Sequence, residues 1–191
     1  MIFGDDTQEI IQIEELCKNN KKVIAIGEIG LDYYWNKENK ELQRQWFEMQ
    51  IKLANQLNLP IVIHSRDASL DTISVLEQNK VEQKGVFHCC QLNQELVKGA
   101  LKLGFYISFA GPITYKNSKN AEEIIKMVPI DKILIETDSP YLSPEPLRGT
   151  RNNSVNVKLV AKKIAQIKNA SLEEVAKATY ENAKNALKIK E

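Results

Sequence analysis

The sequence lacks the features that mark secreted and membrane proteins. Its three cysteines are an odd number and none is spaced as Cys-x-x-Cys, which argues against a disulfide framework and against a cysteine-rich zinc site. No segment reaches the ~18 apolar residues of a membrane span. The start, MIFGDDTQEI, has no basic region followed by an apolar core, so no signal peptide is predicted. We therefore expect a soluble, cytoplasmic protein.

An excess of charge of either sign is also missing. The 26 lysine and arginine residues nearly balance the 25 aspartate and glutamate residues, which gives a formal net charge of +1. Such a chain has no overall field to hold a polyanion or an anionic membrane, so any recognition of phosphate must be local to a site. Repeats, low-complexity tracts and linkers are absent from the sequence. We expect residues 1–191 to form a single domain.

What the sequence does contain is a series of short apolar runs, which predict β-strands. Their Val, Ile and Phe content without strict alternation indicates strands covered on both faces, as in a parallel sheet. The runs are VIAIGE (23–28), IVIH (61–64), GVFH (85–88), FYISFAG (105–111) and KILIETD (132–138).

The stretches between the strands predict helices. In residues 40–58, apolar side chains at three- and four-residue intervals indicate an amphipathic helix that ends before Pro60. Ser171 and Glu174 form a capping box at the start of the last helix. The apolar positions in 40–58 are Leu42, Trp46, Met49, Leu53 and Leu57. The other predicted helices cover 69–78, 93–102, 120–127, 155–168 and 172–188.

Alternating strands and helices with short connections predict right-handed βαβ units. Two α/β architectures fit this pattern, a doubly wound sheet and a (β/α)8 barrel. No glycine-rich phosphate loop follows the first strand, which disfavours a dinucleotide-binding fold.

Four chemically active residues end predicted strands. Glu28, His64, His88 and Asp138 each fall at a carboxyl end, and in a parallel barrel these ends meet around one mouth. Two carboxylates and two imidazoles are a suitable ligand set for zinc, manganese or magnesium. Such ions can polarise a phosphoryl oxygen and activate water, so the set predicts hydrolysis. Taken singly, each histidine has a structural alternative, and Asp138 has the alternative of capping a turn.

Other polar and aromatic residues have two interpretations each. Tyr33, Tyr34 and Trp35 could stack on nucleobases or pack at the barrel rim. Arg148 and Arg151 could contact phosphate or belong to a solvated loop. Candidate substrate-binding residues are therefore Tyr34, Arg66, Arg148 and Arg151. Ser65 is not predicted as a nucleophile, because adjacent strand residues point to opposite faces. Cys89 and Cys90 are predicted as small buried residues rather than soft ligands.

Several motifs together resemble the TatD-type metal-dependent deoxyribonucleases. They are AIGEIGLDYY, LNLPIVIHSRDA, GVFHC, YISFAG and ILIETDSPYL, followed by RGTRNN. The resemblance implies a TIM-barrel phosphodiesterase that cleaves DNA, often as an exonuclease, with two divalent metal ions. It implies that Glu28 bridges the ions, that His64 and His88 bind one of them, and that Asp138 binds the other and assists the attacking water.

The chain departs from the family pattern at its beginning. No His-x-His pair precedes Glu28, although the family's first strand carries one as part of the other metal site. A complete barrel has eight strands in ~250 residues, so we expect an incomplete barrel of about five parallel strands. A smaller departure is Cys90 with Gln91 after the His-Cys pair.

An incomplete barrel has physical consequences. Its first and last strands, 23–28 and 132–138, would be open edges, so we expect poor solubility or self-association through them. We also expect the chain to keep a bound metal ion even if it has lost the ability to catalyse hydrolysis.

Two hypotheses from other classes stay open beside the nuclease. One is a catalytically impaired remnant or interaction module with at most one metal site. The other is a metal-dependent amidohydrolase, which is disfavoured because no lysine ends a predicted strand.

Overall fold

A computed structural model describes residues 6–189 of the chain. Strands and helices alternate along most of this length. The helices are α1 (Asp6–Asn19), α2 (Lys40–Gln56), α3 (Ser69–Gln78), α4 (Gln94–Lys102), α5 (Ala121–Met127), α6 (Val157–Lys168) and α7 (Leu172–Ala186). The strands are β1 (Ile26–Asp32), β2 (Ile61–Arg66), β3 (Gly85–Phe87), β4 (Tyr106–Phe109) and β5 (Ile133–Ile135). Short 3-10 turns cover Gly111–Thr114, Ile130–Lys132 and Ser154–Asn156.

The sheet topology decides between the two predicted architectures. The strands form one five-stranded sheet in the order β1-β2-β3-β4-β5, and each pairs in parallel with the next. A doubly wound sheet reverses its strand order at a switch point, whereas a barrel adds every strand on the same side. The sequential order is therefore that of a TIM-barrel-type α/β fold, and the predicted fold class is confirmed.

The first strand differs from its predicted position. It was expected over 23–28, but β1 covers Ile26–Asp32, and its pairing with β2 is irregular between Ile26 and Ile29. Glu28 thus lies inside a strand rather than at its end. His64 likewise lies inside β2, opposite Gly30. In the sequence, Glu28 and His64 each mark the end of an apolar run. In the structure both strands continue past these residues, with their polar side chains on one face.

The buried face of α2 overlaps the predicted one only in part. Of the predicted positions, Leu53 is buried, whereas Leu42, Trp46, Met49 and Leu57 are half-buried. Phe47, Ile51 and Ala54 are the other buried residues of the helix. Both sets follow helical spacing, so periodicity alone does not choose between them. The capping box of Ser171 and Glu174 at the start of α7 is present as predicted. No helix within residues 6–189 is long and apolar enough to cross a membrane.

The two outer strands, β1 and β5, each have one neighbour among the described residues. A strand edge with free N–H and C=O groups is a template for pairing with another chain. We therefore expect the 191-residue chain to self-associate in a concentration-dependent way. Light scattering over a range of concentrations tests this, and a stable, monodisperse monomer would contradict it.

Candidate metal centre

Four segments of the sheet bring acidic and imidazole side chains together. Glu28 lies in β1 and His64 in β2, His88 directly follows β3, and Asp138 follows shortly after β5. Glu28, His64 and His88 each offer one ligand atom, and these three atoms lie within 4.8 Å of one another. The structure thus gathers three of the predicted ligands into one group.

The distances identify the atoms that face the centre of this group. Glu28 Oε2 lies 3.9 Å from His64 Nδ1 and 3.6 Å from His88 Nε2. Asp138 Oδ1 lies 3.8 Å from the same His88 Nε2, so the fourth predicted residue borders the group on the His88 side. Two ring nitrogens and two carboxylates therefore converge on one small volume.

The other nitrogen of His64 contacts a carboxylate that was not predicted. Asp32 Oδ2 lies 3.0 Å from His64 Nε2. Burial opposes ionisation of Asp32, but hydrogen bonds from the Trp35 N–H, the His64 ring and the Tyr34 N–H lower its pKa. An ionised Asp32 accepts the Nε2 proton of His64, and the lone pair of Nδ1 is then directed toward Glu28.

The second histidine has an equivalent partner. Glu136 Oε1 lies 2.7 Å from His88 Nδ1, and Glu136 Oε2 accepts a 2.6 Å hydrogen bond from Ser108. Burial opposes protonation of His88, but the contact with Glu136 and the charges of Glu28 and Asp138 raise its pKa. The same negative surroundings favour a metal cation at Nε2.

The donor set therefore fits a divalent metal ion. Two imidazoles and a carboxylate are typical of zinc and manganese sites. Histidine ligands usually donate their other ring N–H to a carboxylate, and here each histidine has a carboxylate oxygen beside that nitrogen, Asp32 at 3.0 Å and Glu136 at 2.7 Å. Glu28, His64 and His88 are the residues that would hold the ion, and Asp138 is placed to complete the site or to contact water.

Asp32 and Glu136 are the residues that sequence reasoning missed. Asp32 lies on the same face of β1 as Glu28, and Glu136 lies two positions before Asp138. A spacing of four residues from Glu28 to Asp32, and of two from Glu136 to Asp138, was the available signal, since an even spacing in an extended segment places side chains on one face.

Replacing Glu136 by glutamine tests the role of this carboxylate, which contacts the His88 ring on the side away from the metal group. If the glutamine oxygen accepts from Ser108, its amide donates to His88 Nδ1, which moves the ring proton to Nε2. We expect the affinity for zinc or manganese to fall by about 10- to 100-fold, measured by calorimetric titration. Glu122→Gln, on the surface beside Lys126, is the control and leaves the affinity unchanged. An unaltered affinity in Glu136→Gln would contradict the assignment.

A cleft of about 870 Å³ opens beside the histidines. His64, His88 and Asp138 form part of its wall, together with Trp35 and Arg66. Its size suits a small molecule or the end of a polymer chain.

The predicted aromatic cluster separates into two parts. Tyr33 is buried, and its hydroxyl donates a 2.7 Å hydrogen bond to Asp71, so it packs within the fold. Tyr34 and Trp35 are 50% and 76% exposed. The guanidinium of Arg66 lies 3.9 Å from the ring centre of Tyr34. The exposed pair therefore stays available for a ligand.

The remaining candidates lie outside the metal group. Arg148 stacks on Tyr115 at 4.2 Å, and neither Arg148 nor Arg151 is among the residues that line the cleft. Ser65 is buried and paired with Thr72 at 2.9 Å, as expected for a residue without a nucleophilic role. Burial raises the pKa of the Cys89 thiol, and it raises that of Cys90 to about 12. Both thiols therefore stay protonated near neutral pH.

The comparisons with known proteins all indicate the same family. The family model described as "TatD related DNase" matches residues 4–188. The protein described as "Uncharacterized metal-dependent hydrolase YabD", from Bacillus subtilis, is 45% identical over 183 residues, which cover 95% of this chain and 71% of that protein. The similarly described YcfH of Escherichia coli is 42% identical over 161 residues, 84% of this chain and 61% of that protein.

Solved structures agree with this match. The crystal structure of YjjV, a TatD homologue from Escherichia coli K12, superposes with a TM-score of 0.91 at 25% identity, and covers 96% of this chain and 71% of its own. A hydrolase of the TatD family from Entamoeba histolytica gives a TM-score of 0.82 at 26% identity, over 95% of this chain and 68% of its own. The resemblance inferred from the motifs is confirmed, and the chain belongs to the TatD family of metal-dependent hydrolases.

Proposed function

We propose that the protein is a metal-dependent deoxyribonuclease that hydrolyses phosphodiester bonds of DNA and acts as an exonuclease. The observation that carries the proposal is the placement of the Glu28, His64 and His88 group beside a cleft that Trp35 and Arg66 also line. The metal-binding group suits hydrolysis of a phosphate ester. The Trp35 and Arg66 side chains of the cleft suit contact with an unstacked base. Family membership supports metal-dependent hydrolysis in general.

Each residue of the site has a proposed role. Glu28, His64 and His88 would hold a divalent ion, whose chemistry would be to polarise a phosphoryl oxygen and to make a water molecule a stronger nucleophile. Asp138, at 3.8 Å from His88 Nε2, is the carboxylate placed to accept a proton from the attacking water. Glu28 would be the carboxylate shared with a second ion. Magnesium, manganese and zinc are the candidate metals.

The substrate is held at the rim of the cleft. The guanidinium of Arg66 is planar and can pair with a phosphate through two hydrogen bonds while it remains stacked on Tyr34. Exposed aromatic rings accept any base, since every base has a π face. Arg148 and Arg151 stay predicted phosphate contacts of the neighbouring loop. The cytoplasm stays the predicted location.

Cleavage of end-labelled DNA tests the proposed function. The purified chain is incubated with single- and double-stranded oligonucleotides that carry a label at either end, with magnesium, manganese or zinc. We expect stepwise shortening from one end, which a chelator stops and the double variant His64→Ala/His88→Ala lacks. DNA that stays intact with every metal would contradict the proposal.

One observation favours a second candidate, a metal-binding module without turnover. The chain has two histidines in all and no His-x-His pair, and within residues 6–189 Glu28, His64 and His88 form the single group suited to hold a metal ion. This candidate predicts one bound ion per chain with no cleavage of DNA. The nuclease predicts that bound metal and cleavage are lost together in the double variant.

A further inference from the structure

A second cleft lies at the end of the sheet opposite to the metal group. Its volume is about 540 Å³, which is within the range of small-molecule sites. Lys84 directly precedes β3 and Lys132 directly precedes β5, and both line this cleft. His88 directly follows β3, and Asp138 follows β5. Because the strands are parallel, the two lysines and the metal group lie at opposite ends of the same strands.

The wall of this second cleft is basic. Four lysines line it, and among the described residues no aspartate or glutamate does. We call it the lysine cleft and define it by Lys84, Lys132, Lys184 and Lys188. The whole chain has a formal net charge of +1, so the grouping is local and does not reflect a basic composition.

Three of these lysines are partly withdrawn from solvent. Lys84, Lys132 and Lys184 are half-buried, although lysine side chains are mostly exposed in folded proteins. Like charges that are brought together with less water around them repel one another more strongly than exposed ones do. An anion in the cleft would offset this repulsion.

A helix end does not account for the grouping. Lys184 lies in the last turn of α7, and Lys188 follows the end of that helix, where the helix dipole favours cations. Lys84 and Lys132 belong to other segments, before β3 and β5. Lys84 also has a φ of +58°, in a region that favours glycine and asparagine over lysine. The cleft thus gathers lysines from three separate segments.

Contacts with the sheet fix the position of α7. Asn182 Nδ2 donates hydrogen bonds to the carbonyl oxygens of Ile130 and Ile133, each at 2.8 Å. Ala186, one turn further along the helix, is buried in one apolar cluster with Leu134 of β5. The lysines at the end of α7 are therefore held close to the amino ends of the strands.

The other residues of the lysine cleft favour a phosphate chain over a nucleoside. Tyr106 is the one aromatic residue among the described residues of its wall. The Lys132 ammonium covers this ring at 4.3 Å from its centre, and the ring packs against the apolar cluster, so it is not free to stack on a base. The Tyr106 hydroxyl and the Asn185 amide add neutral donors to the ammonium groups. Such donors are suitable partners for phosphate oxygens.

We propose that the lysine cleft binds a small polyphosphate anion, either free or as the phosphate chain of a nucleotide. An anion with several phosphates can pair at once with lysines of all three segments, which a single carboxylate cannot do. This site is separate from the metal group and does not depend on the proposed nuclease activity.

Calorimetric titration of the metal-free chain with sodium triphosphate tests this inference. Metal is left out because an ion held by Glu28, His64 and His88 would itself attract phosphate. We expect one triphosphate per chain, with an affinity that falls as salt is added. ATP is expected to bind with similar affinity, and AMP at least about tenfold more weakly because it lacks the phosphate chain.

Two pairs of substitutions separate the cleft from the general charge of the protein. Lys84→Gln/Lys132→Gln removes two positive charges from the cleft, and we expect triphosphate affinity to fall at least about tenfold. The matched control, Lys158→Gln/Lys162→Gln, removes two charges from the exposed face of α6 and leaves the affinity within about twofold. Circular dichroism checks the fold of both. Lys188→Gln, at an exposed position after α7, is expected to give a smaller loss and keeps the test available if the cleft pair does not fold.

Several results would overturn the inference. They are a wild-type chain that binds no triphosphate at low salt, a control pair that loses as much affinity as the cleft pair, and unchanged binding in both the cleft pair and Lys188→Gln. Tighter binding of ATP than of triphosphate would show recognition of the nucleoside and contradict the assignment to the phosphate chain. A single-stranded oligonucleotide that binds more tightly than triphosphate, and loses that affinity in the cleft pair, would also contradict it.

The double variant His64→Ala/His88→Ala distinguishes this site from the metal group. It is expected to bind triphosphate as the wild-type chain does, although it lacks both candidate ligands. Loss of triphosphate binding in this variant would place the anion at the metal group and overturn the inference.

Discussion

Replacing His88 by alanine is expected to lower the affinity of the chain for zinc or manganese by at least about 100-fold. Its Nε2 faces both Glu28 and Asp138, at 3.6 and 3.8 Å, so the substitution removes the nitrogen nearest the centre of the group. Loss of a carboxylate that contacts a ligand, and not the ion itself, typically lowers metal affinity by about 10- to 100-fold. Loss of a direct ligand lowers the affinity further. Calorimetric titration of the metal-free protein measures the effect.

The control for this variant is Tyr141→Ala. Tyr141 lines the same cleft and is well exposed, but it carries no metal-binding atom of the usual kind. Its substitution leaves metal affinity unchanged if the ion is held by the histidines. Equal losses in His88→Ala and Tyr141→Ala would show that the cleft, and not the His88 ring, determines binding.

Replacing Gly30 by alanine is expected to destabilise the fold by about 3–5 kcal/mol. Gly30 has φ +141°, and a Cβ there would lie 2.0 Å from the carbonyl oxygen of His64. That oxygen belongs to the backbone of β2 and cannot move without disturbing the strand pairing. The substitution therefore combines backbone strain with a clash against the backbone of His64, which is itself a candidate ligand. Urea unfolding measures the loss of stability.

Gly149→Ala separates the two causes. Gly149 also has a positive φ, of +89°, but no atom lies within 4 Å of its added Cβ. Strain alone is expected to cost about 1–2 kcal/mol at this position. If both variants lose the same free energy of unfolding, the close approach of β1 to His64 has no effect of its own.

Much of the fold could be predicted because its strands and helices have clearly different sequence patterns. Runs such as IVIH and GVFH have the composition of buried parallel strands, and the capping box at Ser171 marks the start of α7. Helix α1 (Asp6–Asn19) was not predicted. Its half-buried Ile10, Ile13 and Cys17 are spaced as one helical face, but this short apolar stripe lies among polar residues.

The sequence pointed to four residues that the structure brings close together, but not to the way in which they are arranged. His88 follows its strand as expected, whereas Glu28 and His64 lie within strands that run on past them. The pairing of β1 with β2 is irregular between Ile26 and Ile29, the stretch that contains Glu28, and no residue pattern displays this. The roles of Asp32 and Glu136 depend on which ring nitrogen each carboxylate contacts, and that requires side-chain positions.

The most direct test of the metal centre is a crystal of the protein grown with manganese and measured for anomalous scattering by that metal. The predicted result is an anomalous peak bounded by Glu28 Oε2, His64 Nδ1 and His88 Nε2, with Asp32 and Glu136 on the far sides of the two rings. A peak at another place on the chain, or bound manganese with no peak between these three residues, would contradict the account.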